Sequence, residues 1–197
     1  AGCGGEWGWG GRGAGKPFGS QGENRRGKVI LPKIYRGFDD SRIPDAEYFD
    51  ELKRVTVNQI IFGGNYFIDH LQSTSCFIVW DKDNSGNFAD AELAWTSFKT
   101  ATRICRHRWN GMLQQDMKNK EHRIHPTQKP VRLYEWLLKN YAKPGDRILD
   151  THLGSGSSAI ACDIMGYDFT GYEIDKDYFT AAKERLERHQ AQGKLFG

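Results

Sequence analysis

No stretch of the 197-residue sequence approaches the ~18 consecutive apolar residues of a membrane-spanning helix, and its glycine-rich start is not an apolar signal segment. The expectation is therefore no membrane partner. Cysteine is scarce and scattered (Cys3, Cys76, Cys105, Cys162), with no pair at metal-ligand spacing. That excludes a disulfide framework, gives no metal site, and suits reduced thiols in a cytoplasmic protein. Only six prolines occur, and no two are adjacent. Neither sign of charge dominates: 28 Lys and Arg face 25 Asp and Glu, a net charge of +3. What is present suffices for one core, since 38% of residues are hydrophobic and 25 are aromatic. This excludes wholesale disorder, and the length excludes a large multidomain assembly. The sequence starts with Ala1 where a natural start would be Met, so it reads as a fragment or a processed form.

The small net charge hides segregation. Residues 1–37 carry +5, 38–98 carry −7, 99–132 carry +7 and 133–197 carry −2. A basic block inside an acidic body is the electrostatic footprint of a polyanion partner, although a solvated face gives the same count.

Twelve of the 23 glycines fall in residues 1–37, which predicts loop. There Trp7, Trp9 and Arg12 either stack on a nucleobase once ordered or belong to a mobile arm. Regular structure follows. Asp45 caps a helix over 45–55, with Phe49, Leu52 and Val55 at helical spacing. Apolar runs predict strands at 58–62, 76–80 and 91–98, with a short helix at 65–71. After the aperiodic basic segment 99–123, Pro130 opens a helix over 131–142 with Leu133, Trp136, Leu137 and Tyr141 on one face. A strand over 147–150, a Gly/Ser loop, a helix over 158–166 and a strand over 168–175 come next. The last helix, 178–190, has Asp177 as cap and Glu184–Arg188 at i,i+4. This alternation predicts an α/β fold, a mostly parallel sheet with helices on both faces.

The stretch 147–175 carries the most chemistry. A strand ends in Asp150, the loop supplies Gly154, Ser155, Gly156 and Ser157, and the next strand ends in Glu173. Glycines allow close approach of a ligand to a helix N-terminus, and an acidic residue at the second strand tip accepts from ribose hydroxyls. The glycines with Ala159 also satisfy a dinucleotide fingerprint, so an NAD-dependent Rossmann oxidoreductase is an alternative. Asp150 repels a pyrophosphate but pairs with a cationic amino group. This suits S-adenosylmethionine, which has an ammonium, a sulfonium and a ribose and no phosphate.

HPTQKP (125–130), then ILDTHLGSGSSAIA (148–161) and GYEID (171–175), resembles the amino-group (N6-adenine/N4-cytosine) DNA methyltransferases of the permuted β-group. Residues 47–67 and 78–98 are similar to phage-type site-specific adenine methyltransferases of that group. The resemblance implies a Rossmann-like S-adenosylmethionine-dependent methyltransferase fold in one domain over 1–197. Its parts are a basic Gly-rich arm (1–43), a catalytic half (44–98), a target-recognition insertion (99–123) and a cofactor-binding half (124–197). It implies that His125, Thr127 and Lys129, with Asp150, Gly154, Ser155, Gly156 and Ser157, hold the methionine part of the cofactor, and Glu173 the ribose. It implies a double-stranded DNA partner contacted by Arg103, Arg106, Arg108, Lys118, Lys120 and Arg123, with Trp109 and Asn110 probing base edges. The reaction implied is methylation of a base's exocyclic amine, adenine N6 first, without a metal. The family's Asp-Pro-Pro-Tyr tetrapeptide is absent from this sequence and is expected upstream of Ala1, so no catalytic residue is named. A relic that binds cofactor or DNA without methyl transfer is the second expectation.

Overall fold

The computed structural model describes residues 44–193 except 85–88 and 111–112, together with two short strands, Gly22–Glu23 (β1) and Val29–Ile30 (β2). The chain divides into two units, Ala1–Pro44 and Asp45–Gly197. In the first, β1 and β2 pair antiparallel. The expectations for Trp7, Trp9, Arg12 and Cys3 lie outside the described residues.

In the second unit, α1 (Ala46–Val55) starts where the Asp45 carboxylate accepts the Tyr48 N–H at 3.0 Å, a cap worth about 1 kcal/mol. Phe49 is its buried anchor. Strand β3 (Ile60–Phe62) follows, then two single-turn 3₁₀ helices, Gly64–Tyr66 and Ile68–His70, in place of the one helix expected over 65–71. The break falls at Phe67, which leaves helical geometry to pack its buried ring 5.4 Å from that of Phe49.

Strands β4 (Phe77–Asp81), β5 (Ala91–Thr96) and β6 (Arg103–Arg106) join β3 in the order β3-β5-β4-β6. Here β5 is antiparallel to both neighbours, while β4 and β6 are parallel. The basic segment continues as a hairpin of β7 (Trp109–Asn110) and β8 (Leu113–Gln114). Helix α2 (Val131–Tyr141), β9 (Arg147–Asp150), α3 (Ser157–Met165), β10 (Asp168–Gly171) and α4 (Lys176–Gly193) complete the chain. Strands β9 and β10 form a second, parallel ladder that sets Asp150 opposite Gly171. The architecture is mixed α/β, with parallel ladders at β4–β6 and β9–β10.

Helix α2 joins the two sheets because it buries two stripes. Leu133, Trp136, Leu137 and Tyr141 pack on Trp80, Ile78, Ala94 and Phe62, as the spacing predicts. Leu138 and Val131 face the other way, onto Ala161, Cys162, Ile148 and Phe169, and Tyr134 belongs to both clusters. Each fully buried Leu of this kind contributes roughly 1.5–3 kcal/mol. Among the described residues, β9 pairs only with β10 and β3 only with β5.

Two expectations for α4 are corrected. Its cap is Asp175, whose Oδ1 accepts the N–H groups of Asp177 and Tyr178 at 2.9 and 3.1 Å. Arg188 donates to the Glu184 carbonyl at 3.2 Å, and Lys183–Glu187 is the i,i+4 ion pair. Cys76, Cys105 and Cys162 are free and buried; burial pushes the Cys105 thiol to about 11 and the Cys162 thiol to about 12. No helix among the described residues is long and apolar enough to cross a membrane.

Candidate cofactor crevice

The turn from β9 into α3 is built from its own polar groups. Asp150 Oδ1 accepts the His152 N–H at 3.0 Å, and Oδ2 accepts the Ser158 hydroxyl at 2.5 Å. Gly154 and Gly156 adopt left-handed conformations (φ 52° and 73°), which cost an L-residue with a side chain roughly 1–2 kcal/mol. At Gly156 a Cβ would also lie 3.2 Å from Ala182 Cβ on α4, a tight approach that adds to the preference for glycine there. The loop is tied to the tip of β10 by Glu173: Oε2 accepts the Gly154 N–H at 2.8 Å, and Oε1 accepts the Asp175 N–H at 3.0 Å. Each carboxylate oxygen keeps a lone pair for a further donor.

The HPTQKP segment closes over this loop. His125 lies within 4 Å of the position a Gly154 Cβ would take, and its ring packs 4.3 Å from that of Tyr178. His125 Nδ1 accepts the Thr127 N–H at 3.2 Å and lies 3.0 Å from Thr127 Oγ1. Burial is the main cause that lowers the imidazole to about 4; Glu173 and Asp175 oppose it, and Lys129 and Arg123 add to it. The ring is therefore neutral at pH 7.

A pH dependence follows from the sign of that shift. Between pH 6.5 and about 4 the unfolded chain binds this proton and the folded chain does not. Stability is thus present above 6.5 and falls as pH drops through the window, by up to about 3 kcal/mol. Urea midpoints from pH 7 to 4.5 should fall more steeply for the native chain than for His125→Asn; equal slopes would remove the effect.

Lys129 is held away from open solvent. Its ammonium lies 3.5 Å from Glu92 Oε2 and 4.8 Å above the Phe62 ring. Glu92 also pairs with Lys82. Burial acts to raise the Glu92 carboxyl, but the two ammonium groups outweigh it and hold the group below its ordinary range.

The basic segment is less free than its charge count implies. The Trp109 indole is buried against Trp80, Cys105 and Leu133, and its Nε1 donates to the Gln128 carbonyl at 2.9 Å. Its assignment as a base probe is corrected to core packing that anchors HPTQKP. Asn110 is occupied by the hairpin: its side chain accepts the Leu113 N–H and donates to Asn84, both at 3.0 Å. Arg123 donates to the Pro126 carbonyl at 2.6 Å, and Arg108 pairs with Asp83. Arg106 is 78% exposed with Asp81 3.4 Å away. Arg103, Lys118 and Lys120 are exposed. On β6, alternation sets Arg103 on the face of the buried Cys105 and Arg106 on the opposite face.

A family model described as DNA methylase (N6_N4_Mtase) matches residues 79–184, more than half of the chain. The chain belongs to this family of N6/N4 DNA methylases. The match runs from β4 into α4 and contains both HPTQKP and the Gly/Ser loop. Over 69 residues this methylase-family chain is 41% identical to Type II methyltransferase M.HpaI of Haemophilus parainfluenzae, covering 35% of this chain and 22% of that protein. Over 79 residues it is 37% identical to Type II methyltransferase M2.DpnII of Streptococcus pneumoniae, covering 40% and 29%. The matched stretches thus span less than a third of these relatives' length. Among solved structures, the M1.HpyAVI–SAM complex is similar with a TM-score of 0.53 and 26% identity, over 73% of this chain and 84% of that one. The fold is the Rossmann-like fold of the S-adenosylmethionine-dependent DNA methyltransferases.

Four further residues shape the crevice. Gln128, 4% exposed, accepts the Ile124 N–H at 2.9 Å and fixes the HPTQKP turn. Tyr178 supports His125. Arg185 and Glu121 meet beneath the Gly/Ser loop. Gln128 lies inside the HPTQKP motif, whereas Tyr178, Arg185 and Glu121 lie outside every motif of the sequence.

Proposed function

We propose that the crevice between HPTQKP and the Gly/Ser loop binds S-adenosylmethionine, and that the protein transfers its methyl group to the exocyclic amine of a base in double-stranded DNA. The observation that carries this reading is Glu173. It is fixed at the tip of β10 by two backbone N–H groups, with lone pairs left to accept from the two hydroxyls of a ribose. The ligand's charge is matched by its surroundings. Asp150, Glu173 and Asp175 line the loop and the adjoining strand end, whereas Lys129 is paired with Glu92 and Arg185 with Glu121. Such a setting favours a cationic sulfur nucleoside over the pyrophosphate of NAD.

When bound, S-adenosylmethionine supplies a methyl group already activated on a sulfonium. The chain's own residues position it: Glu173 at the ribose, Asp150 towards the ammonium, and Lys129 towards the carboxylate, sharing its charge with Glu92. His125, neutral, and Thr127 form the wall over Gly154, and Ser155, Gly156 and Ser157 form the floor. Arg106, Lys118 and Lys120 are exposed cations for phosphates, Arg103 is an exposed cation on the other face of β6, and Arg108 and Arg123 hold the segment in shape. Residues 44–98 and 124–197 act as the catalytic and cofactor halves.

Adenine N6 is the proposed acceptor on the resemblance to phage-type enzymes. The second reading is cofactor or DNA binding without transfer. The test is a methyl-transfer assay with labelled S-adenosylmethionine on duplex DNA, with nucleoside digestion of the product. Label in N6-methyladenine supports the proposal, label in N4-methylcytosine overturns the adenine assignment, and cofactor binding without label supports the second reading.

A further inference from the structure

Arg185 sits at a junction of three elements. From α4, its Nη1 donates to the Ser155 carbonyl and to Ser157 Oγ, both at 2.8 Å, while Nη2 donates to Glu121 Oε2 at 2.7 Å. Glu121 uses its other oxygen to accept the Val131 N–H at 3.0 Å, at the first residue of α2. Its backbone is clamped by the buried Gln114 of β8. The Glu121 N–H donates to Gln114 Oε1 at 2.8 Å, and Gln114 Nε2 donates to the Glu121 carbonyl at 2.9 Å. A continuous run of hydrogen bonds therefore joins the β7–β8 hairpin to the Gly/Ser loop through one ion pair.

That pair is 12% and 23% exposed on its two sides. Separating charges so far from water is strongly unfavourable, because each loses its partner without regaining full hydration. The segment and the loop consequently cannot shift independently without stranding Arg185 or Glu121. The planar guanidinium is what permits simultaneous contact with loop and carboxylate; a lysine ammonium reaches one side or the other.

We propose that Arg185 is a positioning residue that couples the 99–123 segment to the cofactor loop, so that duplex DNA engaged by the segment tightens cofactor binding. The inference rests on the reading of the crevice and segment given above. By linkage, the cofactor tightens DNA binding by the same factor.

The test is calorimetric titration of S-adenosylhomocysteine into the full 197-residue chain, alone and saturated with sheared random-sequence duplex DNA at low salt. The native chain should bind at least ~5-fold more tightly with DNA present, within the usual range of coupling between sites. In Arg185→Lys the ratio should fall to about 1 while the variant remains folded by its thermal transition, because the charge is kept but an ammonium cannot span loop and carboxylate together. Glu121→Gln, neutral and of the same shape, is the second variant and should also lose the ratio. A merely structural role would change the melting temperature and leave the ratio intact. A native ratio near 1, or a native-like ratio in both variants, overturns the coupling alone. A native chain that takes up no S-adenosylhomocysteine overturns the crevice reading and the coupling with it.

Discussion

Replacing Glu173 with Ala is expected to weaken S-adenosylhomocysteine binding on the order of a hundredfold or more. Hydrogen bonds to a charged group contribute about 1.5–3 kcal/mol each, and two ribose hydroxyls are at stake. The substitution also removes the acceptors of the Gly154 and Asp175 N–H groups, which frees the loop that frames the ligand. Glu173→Gln should recover only part of the loss. Its amide oxygen replaces one acceptor, while its NH₂ is set against a backbone donor. Both variants should stay folded, because Glu173 is only half-buried and belongs to none of the hydrophobic clusters. Titration calorimetry reads the effect, and a change below about threefold would place the ribose elsewhere.

The second large effect is on stability. Trp80 is 1% exposed, is packed among Cys105, Trp109 and Leu133, and donates from Nε1 to the His107 carbonyl at 3.1 Å. Trp80→Ala is expected to cost about 3–5 kcal/mol, a large share of the roughly 5–15 kcal/mol that keeps a domain folded. Trp80 opposes Cys105 in the β4–β6 register, so the same change loosens the strand that begins the basic segment. Urea unfolding checks it: Trp80→Phe should lose less than half as much as Ala. A loss under about 1 kcal/mol for Ala would contradict the packing described.

Local chemistry made the cofactor half legible from sequence. The strand RILD (147–150) has the predicted bounds, α3 is within one residue of its expected position, and Glu173 stands just past β10 beside the Gly/Ser loop, where its Oε2 accepts the Gly154 N–H. These features depend on residues at most 19 apart. The remainder depends on distant partners. Arg185 meets Glu121 across 64 residues, and Lys129 meets Glu92 on a strand of the other sheet. Trp109 is near Gln128 in sequence, but its burial depends on Trp80 and Leu133, which no periodicity in the basic segment marked. Charge counting over 99–132 does not reveal the neutralisation of Arg106 and Arg108, because Asp81 and Asp83 come from the end of β4 and the residues just after it. Helix α2 was expected to bury one face. It buries two because it lies between the four-stranded sheet and helix α3, a placement that spacing within the helix does not reveal.

Affinity for a sulfur nucleoside against a diphosphate is the most direct measure of the central claim. Titrated separately into the native chain, S-adenosylhomocysteine should give a saturable binding isotherm and NAD should give none. An isotherm for NAD, with none for S-adenosylhomocysteine, would contradict the account.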